Sequence, residues 1–316
     1  MDREVEDRRG VRRSATRFAV RHPAASLLAL AVAVRLLVVV WDLVSTPQRE
    51  LAGQVPDDVF YYLVVARNLA AGLGPTFDGV ELTNGYHPLW LLLLTAGSAV
   101  LPDGAMLTAS LLVAGALAVG AYFVLAWVTS SVVRISPAGL AVGAVVVTGP
   151  LAWERTVNGM EGAAVIAAVA AVAWAARRWW ARPSLAAMSV VGIACGVLCL
   201  ARTSQVATVA VIPVLLLWGL ARSGRSVSVV RQLAVCGAGA AAVFVPWFVW
   251  SWAAVGSPVS SAAMVKSNWQ QRSTGAFPSV AGLEASVRAG AEELWRQVTA
   301  VVPAVDPAPS LVRQLL

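Results

Sequence analysis

Charge is what this sequence lacks most. Only 13% of its 316 residues are charged, whereas a soluble globular domain carries about 25%. A soluble fold with a large core is a poor description of such a chain. The apolar residues, 58% of the total, run together in stretches long enough to cross a bilayer, which takes roughly 20 residues per helix. The mean hydropathy of +0.72 agrees. Lysine is nearly absent. Lys266 is the only one, so the net charge of +7 is carried by arginine. A basic chain invites the thought of nucleic acid. Here, however, the arginines sit between hydrophobic runs, where they orient a membrane protein, and no basic stripe interleaved with aromatics occurs. Nucleic acid is therefore excluded as a partner, and membrane lipid takes its place. Cysteine is scarce too. Cys195, Cys199 and Cys236 lie inside apolar runs and read as small buried hydrophobes. No histidine or carboxylate accompanies them as a metal set. There is no internal repeat and no low-complexity stretch beyond richness in alanine and valine.

What is present is a series of apolar runs near residues 25–45, 88–101, 106–133, 136–153, 160–180, 184–200, 204–220 and 232–253. The basic segment 1–24, rich in arginine, precedes the first run. It predicts an uncleaved signal anchor with a cytoplasmic N-terminus, because the run is too long for a cleaved signal and no small-residue cleavage site follows closely. Arg134, then Arg177, Arg178 and Arg182, then Arg222, Arg225 and Arg231 mark three further cytoplasmic loops. The run 106–133 must then pass from outside to inside. The run 88–101 consequently enters and leaves on one face, and it is short enough to be re-entrant or interfacial. The expected fold is all-α and polytopic, with about seven transmembrane helices plus that partial helix. The core covers residues 25–253. Residues 46–87, the turn at 154–161, the turn at Arg202 and the tail 254–316 share the outer face. Trp41, Trp153, Trp179, Trp180, Trp250 and Trp252 fall near run ends, as interfacial tryptophans do. Arg35, inside the first span, reads either as a functional charge or as one that pairs or snorkels. In the tail, Leu283, Val287, Ala291, Leu294 and Val298 form one helical stripe, the pattern of an amphipathic surface helix.

The 42-residue loop at 46–87 is longer than ordinary connections, and long ordered loops are often functional. Asp57 is placed to cap a helix. Val59, Leu63, Ala66 and Ala70 mark its apolar stripe, and Gly72, Gly74 and Pro75 stop it. The adjacent acids Asp57 and Asp58 read in two ways: as a cap plus a charge at the positive end of the helix dipole, or as a carboxylate held at the membrane boundary for general-base or metal chemistry.

The string Asp57-Asp58-Val59-Phe60-Tyr61-Tyr62-Leu63, with Ala66-Arg67-Asn68-Leu69-Ala70 and Asn84-Gly85-Tyr86-His87-Pro88-Leu89-Trp90, resembles the first outer loop of GT-C glycosyltransferases. These polytopic enzymes use polyprenyl-phosphate sugars; protein mannosyltransferases and aminoarabinose transferases are among them. Asn158-Gly159-Met160-Glu161 resembles the acidic motif of their second outer loop. Leu200-Ala201-Arg202-Thr203 resembles a family turn, and Pro246-Trp247-Phe248 with Gly256-Ser257-Pro258 and Lys266 the end of the shared region. The resemblance spans roughly residues 25–270. It implies transfer of a sugar from a polyprenyl-phosphate donor to an acceptor hydroxyl of an envelope glycan, lipid or protein, on the outer face of the cell membrane.

It further implies Asp58 or Asp57 as catalytic base, Glu161 as a second acid, and Lys266, Arg67, His87 and Arg202 as substrate- or phosphate-binding groups. A divalent cation such as Mg or Mn, held by Asp57, Asp58 and Glu161, fits the same resemblance. The bland readings are a helix cap for Asp57, a solvated turn acid for Glu161, a snorkelling anchor for Lys266, a lipid-headgroup contact for Arg67, and capping or packing for His87. Two departures stand out. Ser204 and Gln205 occupy the place where relatives carry an acid, and an amphipathic helix stands where relatives continue with more spans. A C-terminally short variant is expected, and a non-catalytic membrane subunit or inactive relative is the alternative. A transporter is less favoured, because paired broken helices in two related halves are missing.

Overall fold

The computed structural model describes residues 48–132, 154–225, 227–257 and 260–261, together with scattered positions between 30 and 47. The runs at 25–45 and 136–153, Arg35, Arg134, Lys266 and the tail stripe lie wholly or largely outside the described residues.

Among the described residues the chain is all-helical, with one isolated bridge, Thr76 to Leu82, and no strand. The helices are α1 (Gln48–Ala52), α2 (Asp58–Ala70), α3 (Pro88–Ser98), α4 (Asp103–Ser130), α5 (Gly162–Ala181), α6 (Leu185–Ala201), α7 (Val206–Arg222) and α8 (Val229–Val255). A short 3-10 turn, Thr203–Gln205, leads into α7.

Among the described residues four helical segments are long and apolar enough to cross a membrane: α4, α5, the 3-10 turn with α7, and α8. Their surfaces say the same. Only 6% of the most apolar window of α8 is buried inside the protein, which leaves an apolar face that water would not tolerate. α6, with 17 residues, is about 25 Å long at 1.5 Å per residue, at the lower limit for a span. α3 has 11 residues and reaches about 16 Å; it is too short to cross, as expected for the run at 88–101.

α6 and α8 approach closely because small residues line their contact. A Cβ on Gly192 would lie 2.2 Å from the Cys236 carbonyl oxygen, and one on Gly196 2.7 Å from that of Ala240. Such close backbone approach is how helices associate where lipid removes the hydrophobic drive. Cys195, Cys199 and Cys236 are buried and free, the packing role their composition suggested. Trp179 ties α5 to α8 by donating its indole N–H to Gln232 Oε1 at 3.1 Å, both side chains buried.

α2 forms as its sequence predicts. Asp57 Oδ1 accepts from the Asp58 N–H at 2.9 Å, and Gly72 and Gly74, at φ 81° and 75°, take the left-handed stop. Its buried face differs from the aliphatic stripe. Val59, Tyr62, Val65 and Ala66 are buried, whereas Leu63 is half-buried and Ala70 exposed. The reason is that Tyr62 packs with Trp90, Tyr86 and Leu91 in one cluster, turning the helix toward its aromatic side.

Contacts sort the chain into two ends. At one end, Trp90 donates to the Gly159 carbonyl at 2.9 Å. There too Asn84, fully buried, donates to Ser251 Oγ (2.8 Å) and to the Ser257 carbonyl (3.0 Å), and accepts from the Ser261 N–H (2.9 Å). The loop 46–87, the turn before α5 and the C-terminal end of α8 are thereby joined. At the other end lie the C-terminus of α4, the junction of α5 and α6, and the α7–α8 turn, where Arg225 donates to the Trp180 carbonyl at 2.9 Å. Of the segments that the arginine distribution placed on one face, the described parts of the loop 46–87, the turn at 154–161, the Arg202 turn and the first residues after α8 share one end of the helical body.

Candidate functional site

The turn that carries Glu161 is set by two glycines and an asparagine. Asn158 Oδ1 accepts from the Met160 N–H at 3.0 Å, tightening the turn. Gly159 stands at φ 83°, with Val59 side-chain atoms 2.9 Å from where a Cβ would be. Gly162 begins α5 so close to the preceding turn that a Cβ would lie 2.3 Å from the Arg155 carbonyl oxygen. Glu161 is thereby fixed at the N-cap of α5. Its carboxylate makes no capping bond there and turns inward.

Glu161 is buried, at 7% exposure. Its Oε1 lies 3.4 Å from His87 Nε2 and 3.8 Å from Arg202 Nη1. His87 comes from the residue before α3, and Arg202 from the residue after α6. Two separate segments thus converge on one oxygen of the Glu161 carboxylate. The other oxygen, Oε2, is shut off from solvent and has no hydrogen-bond partner among the described residues. The Arg202 side chain is half exposed.

Tyr62 completes the arrangement. Its hydroxyl accepts from the His87 N–H at 2.9 Å, which fixes the entry to α3. Burial pushes the phenol well above its ordinary pKa, and the Glu161 carboxylate, then the Asp58 carboxylate, push it further, against the lowering effect of that hydrogen bond. The phenol therefore keeps its proton, and Tyr62 lies in the field of both acids. Tyr61 binds the neighbouring loop, its hydroxyl 2.7 Å from Thr83 Oγ1 and its ring stacked on Phe77 at 5.4 Å.

The other expected site residues fall as follows. Asp58 is exposed on the first turn of α2, one helical turn before Tyr62. Asp57 is exposed and occupied as the α2 cap. Arg67 lies at the far end of α2 and pairs with Asp103 at 3.5 Å, with both side chains mostly exposed; no contact draws it to Glu161. Lys266 is outside the described residues. Among those described, no three His, Cys, Asp or Glu side chains gather as a metal set, so Asp57, Asp58 and Glu161 do not form one. Glu161 is surrounded by nitrogen donors instead. Tyr62 and Asn84 are structural participants to which sequence reasoning gave no role. A tyrosine inside a hydrophobic segment and an asparagine in a polar turn carry no signal of their distant partners.

Comparison of the chain with protein-family models, with curated proteins and with solved structures yields no match.

Proposed function

We propose that the chain is a membrane glycosyltransferase that moves a sugar from a polyprenyl-phosphate donor to an acceptor hydroxyl at the outer face of the cell membrane. The observation that carries the reading is the meeting of His87, Glu161 and Arg202, with Tyr62 bound to the His87 backbone, at one end of a membrane-spanning helical body, Asp58 lying one turn before Tyr62 on α2. The reaction needs a base for the acceptor hydroxyl and a cationic group for the departing phosphate. Asp58 is the exposed acid and suits the first task. Arg202 suits the second, because a guanidinium presents several donors in a fork that matches phosphate oxygens. Glu161 acts as a positioning residue, holding His87 and Arg202 on its buried oxygen. Asp57 is the helix cap. The resemblance of the loop and turn motifs to GT-C enzymes supplies the donor class. With the outer-face loops on one side, the N-terminus is cytoplasmic and the protein multi-pass, with about seven spans in all.

The sealed position of Glu161 Oε2 favours a second reading, in which the His87–Glu161–Arg202 cluster is a structural clamp in a non-catalytic membrane subunit.

The test is transfer of label from a polyprenyl-phosphate sugar in proteoliposomes. Asp58→Asn is expected to lower the rate by about 10²–10⁴-fold, the usual worth of a general base, and Asp57→Asn to change it little. Full activity in both variants would remove these acids from the mechanism. Absence of transfer by the folded wild type with every donor tried would support the clamp.

A further inference from the structure

At the end opposite Glu161, about 30 Å away along α5, the C-terminus of α4, the last turn of α5 and the first turn of α6 enclose a cavity of about 670 Å³. Its wall carries three arginines, Arg177, Arg178 and Arg182, two tryptophans, Trp127 and Trp174, and Ser184. Among the described residues no carboxylate pairs with any of these arginines. Arg177 and Arg178 are held by aromatic and neutral groups instead. The Arg177 guanidinium lies 4.6 Å from the Trp127 ring centre and its Nε donates to Ser131 Oγ. Arg178 lies 5.7 Å from the Trp174 ring centre. The start of α6 opens on the same space. Ser184 there caps the Ala187 N–H at 3.1 Å, and the positive end of the helix adds to the field. Three guanidinium groups, a helix N-terminus and two interfacial tryptophans around one cavity, without a counter-charge, call for an anion supplied from outside. The cavity opens where three membrane-crossing or near-crossing helices end, so that anion is most readily a lipid phosphate.

We propose that this cavity is a headgroup site for an anionic phospholipid, its phosphate held by Arg177, Arg178 and Arg182 and its glycerol end resting against Trp127 and Trp174. The volume lies in the range of small-molecule sites, about 300–1,000 Å³. The site is independent of the chemistry at the other end and of which face is cytoplasmic.

The full chain in neutral detergent is titrated with phosphatidylglycerol, phosphatidylcholine and soluble glycerol phosphate, and bound ligand is read by native mass spectrometry. Phosphatidylglycerol is expected to bind one to a chain, phosphatidylcholine and glycerol phosphate at least tenfold more weakly. Arg178→Gln and Arg182→Gln, both on exposed side chains, are each expected to weaken phosphatidylglycerol about fivefold, as one basic residue near an anionic headgroup does. Arg231→Gln, at the same end but off the cavity, is expected to change binding less than twofold. Equal losses from Arg231→Gln and Arg182→Gln would show diffuse attraction and overturn the site. Equal binding of phosphatidylcholine would overturn it as well. Glycerol phosphate binding as tightly as the lipid would overturn the lipid assignment in favour of a free phosphate ligand.

Discussion

Gly162→Ala is a substitution whose sign the structure decides sharply, at the residue next to Glu161. In a helix with open space around it, replacing glycine by alanine gains about 1 kcal/mol, because alanine loses less backbone freedom on folding. Gly162 has no such space. Its added methyl would stand 2.3 Å from the Arg155 carbonyl oxygen, with Thr156 Cα at 3.5 Å. An ordinary C···O contact is about 3.3 Å or longer, so the turn at 154–161 must yield by roughly 1 Å. Backbone, not a flexible side chain, has to move, and overpacking of this kind costs about 1–3 kcal/mol. Gly120, inside α4 with nothing within 4 Å of its would-be Cβ, is the matched control. Equilibrium unfolding of both variants in one detergent should show opposite shifts: loss for Gly162→Ala, no loss or a gain for Gly120→Ala. Moreover, the shift at Gly162 displaces Glu161, its chain neighbour, from His87 and Arg202. Gly162→Ala with wild-type stability would refute both the close approach and the account of how Glu161 is fixed.

Two further outcomes follow from the same contacts. Tyr62→Phe removes the acceptor of the part-buried His87 N–H and is expected to cost about 1 kcal/mol, read by the same unfolding measurement; an unchanged midpoint would mean that His87 finds another partner. The Asp78 carboxylate accepts from the Val80 and Glu81 N–H groups, both at 2.9 Å, and these bonds, Val80 first, hold its pKa below the ordinary 3.8. Because the folded value is depressed, the ordering of this turn is complete above the ordinary value and is lost as pH falls through the lower folded one. Exchange of the Val80 and Glu81 amides, corrected for intrinsic rate, should accelerate below about pH 4. No acceleration there would dismiss the turn.

Much of the architecture was legible because a bilayer leaves few options. Every backbone polar group must be satisfied within its own segment, so each described span appears as an unbroken apolar run, and the arginines between runs sort the loops into two ends. α2 was legible for a local reason: Asp57 before it and Gly72, Gly74 and Pro75 after it are a start and a stop. What eluded the sequence is non-local. The stripe Val59, Leu63, Ala66 and Ala70 weighs aliphatic residues, but the face is chosen by Tyr62, whose ring enters an aromatic cluster while its hydroxyl meets the His87 backbone. Glu161 reads as a solvated turn acid because no neighbour in sequence explains its burial. Its partners arrive from the ends of α3 and α6.

That difference alters the weight given to each acid. The sequence already made Asp57 the better cap, and in space Asp57 does cap α2, while Asp58, one turn before Tyr62, lies in the field that reaches the Tyr62 phenol. The two ends of the molecule are then distinguished by how arginine is matched. Near Glu161 the chain supplies a carboxylate to Arg202, yet engages it at only one nitrogen at 3.8 Å, which leaves donors for a second anion. Around Trp127 and Trp174 the described residues supply no carboxylate to these arginines. A guanidinium at a membrane boundary that meets only aromatic rings and one serine hydroxyl has its charge unanswered, and an anion from the surrounding lipid is the nearest source of the answer. On the two proposals made above, both ends hold phosphate. At one the chain contributes the acid that positions the cation, and at the other the bilayer contributes the anion itself.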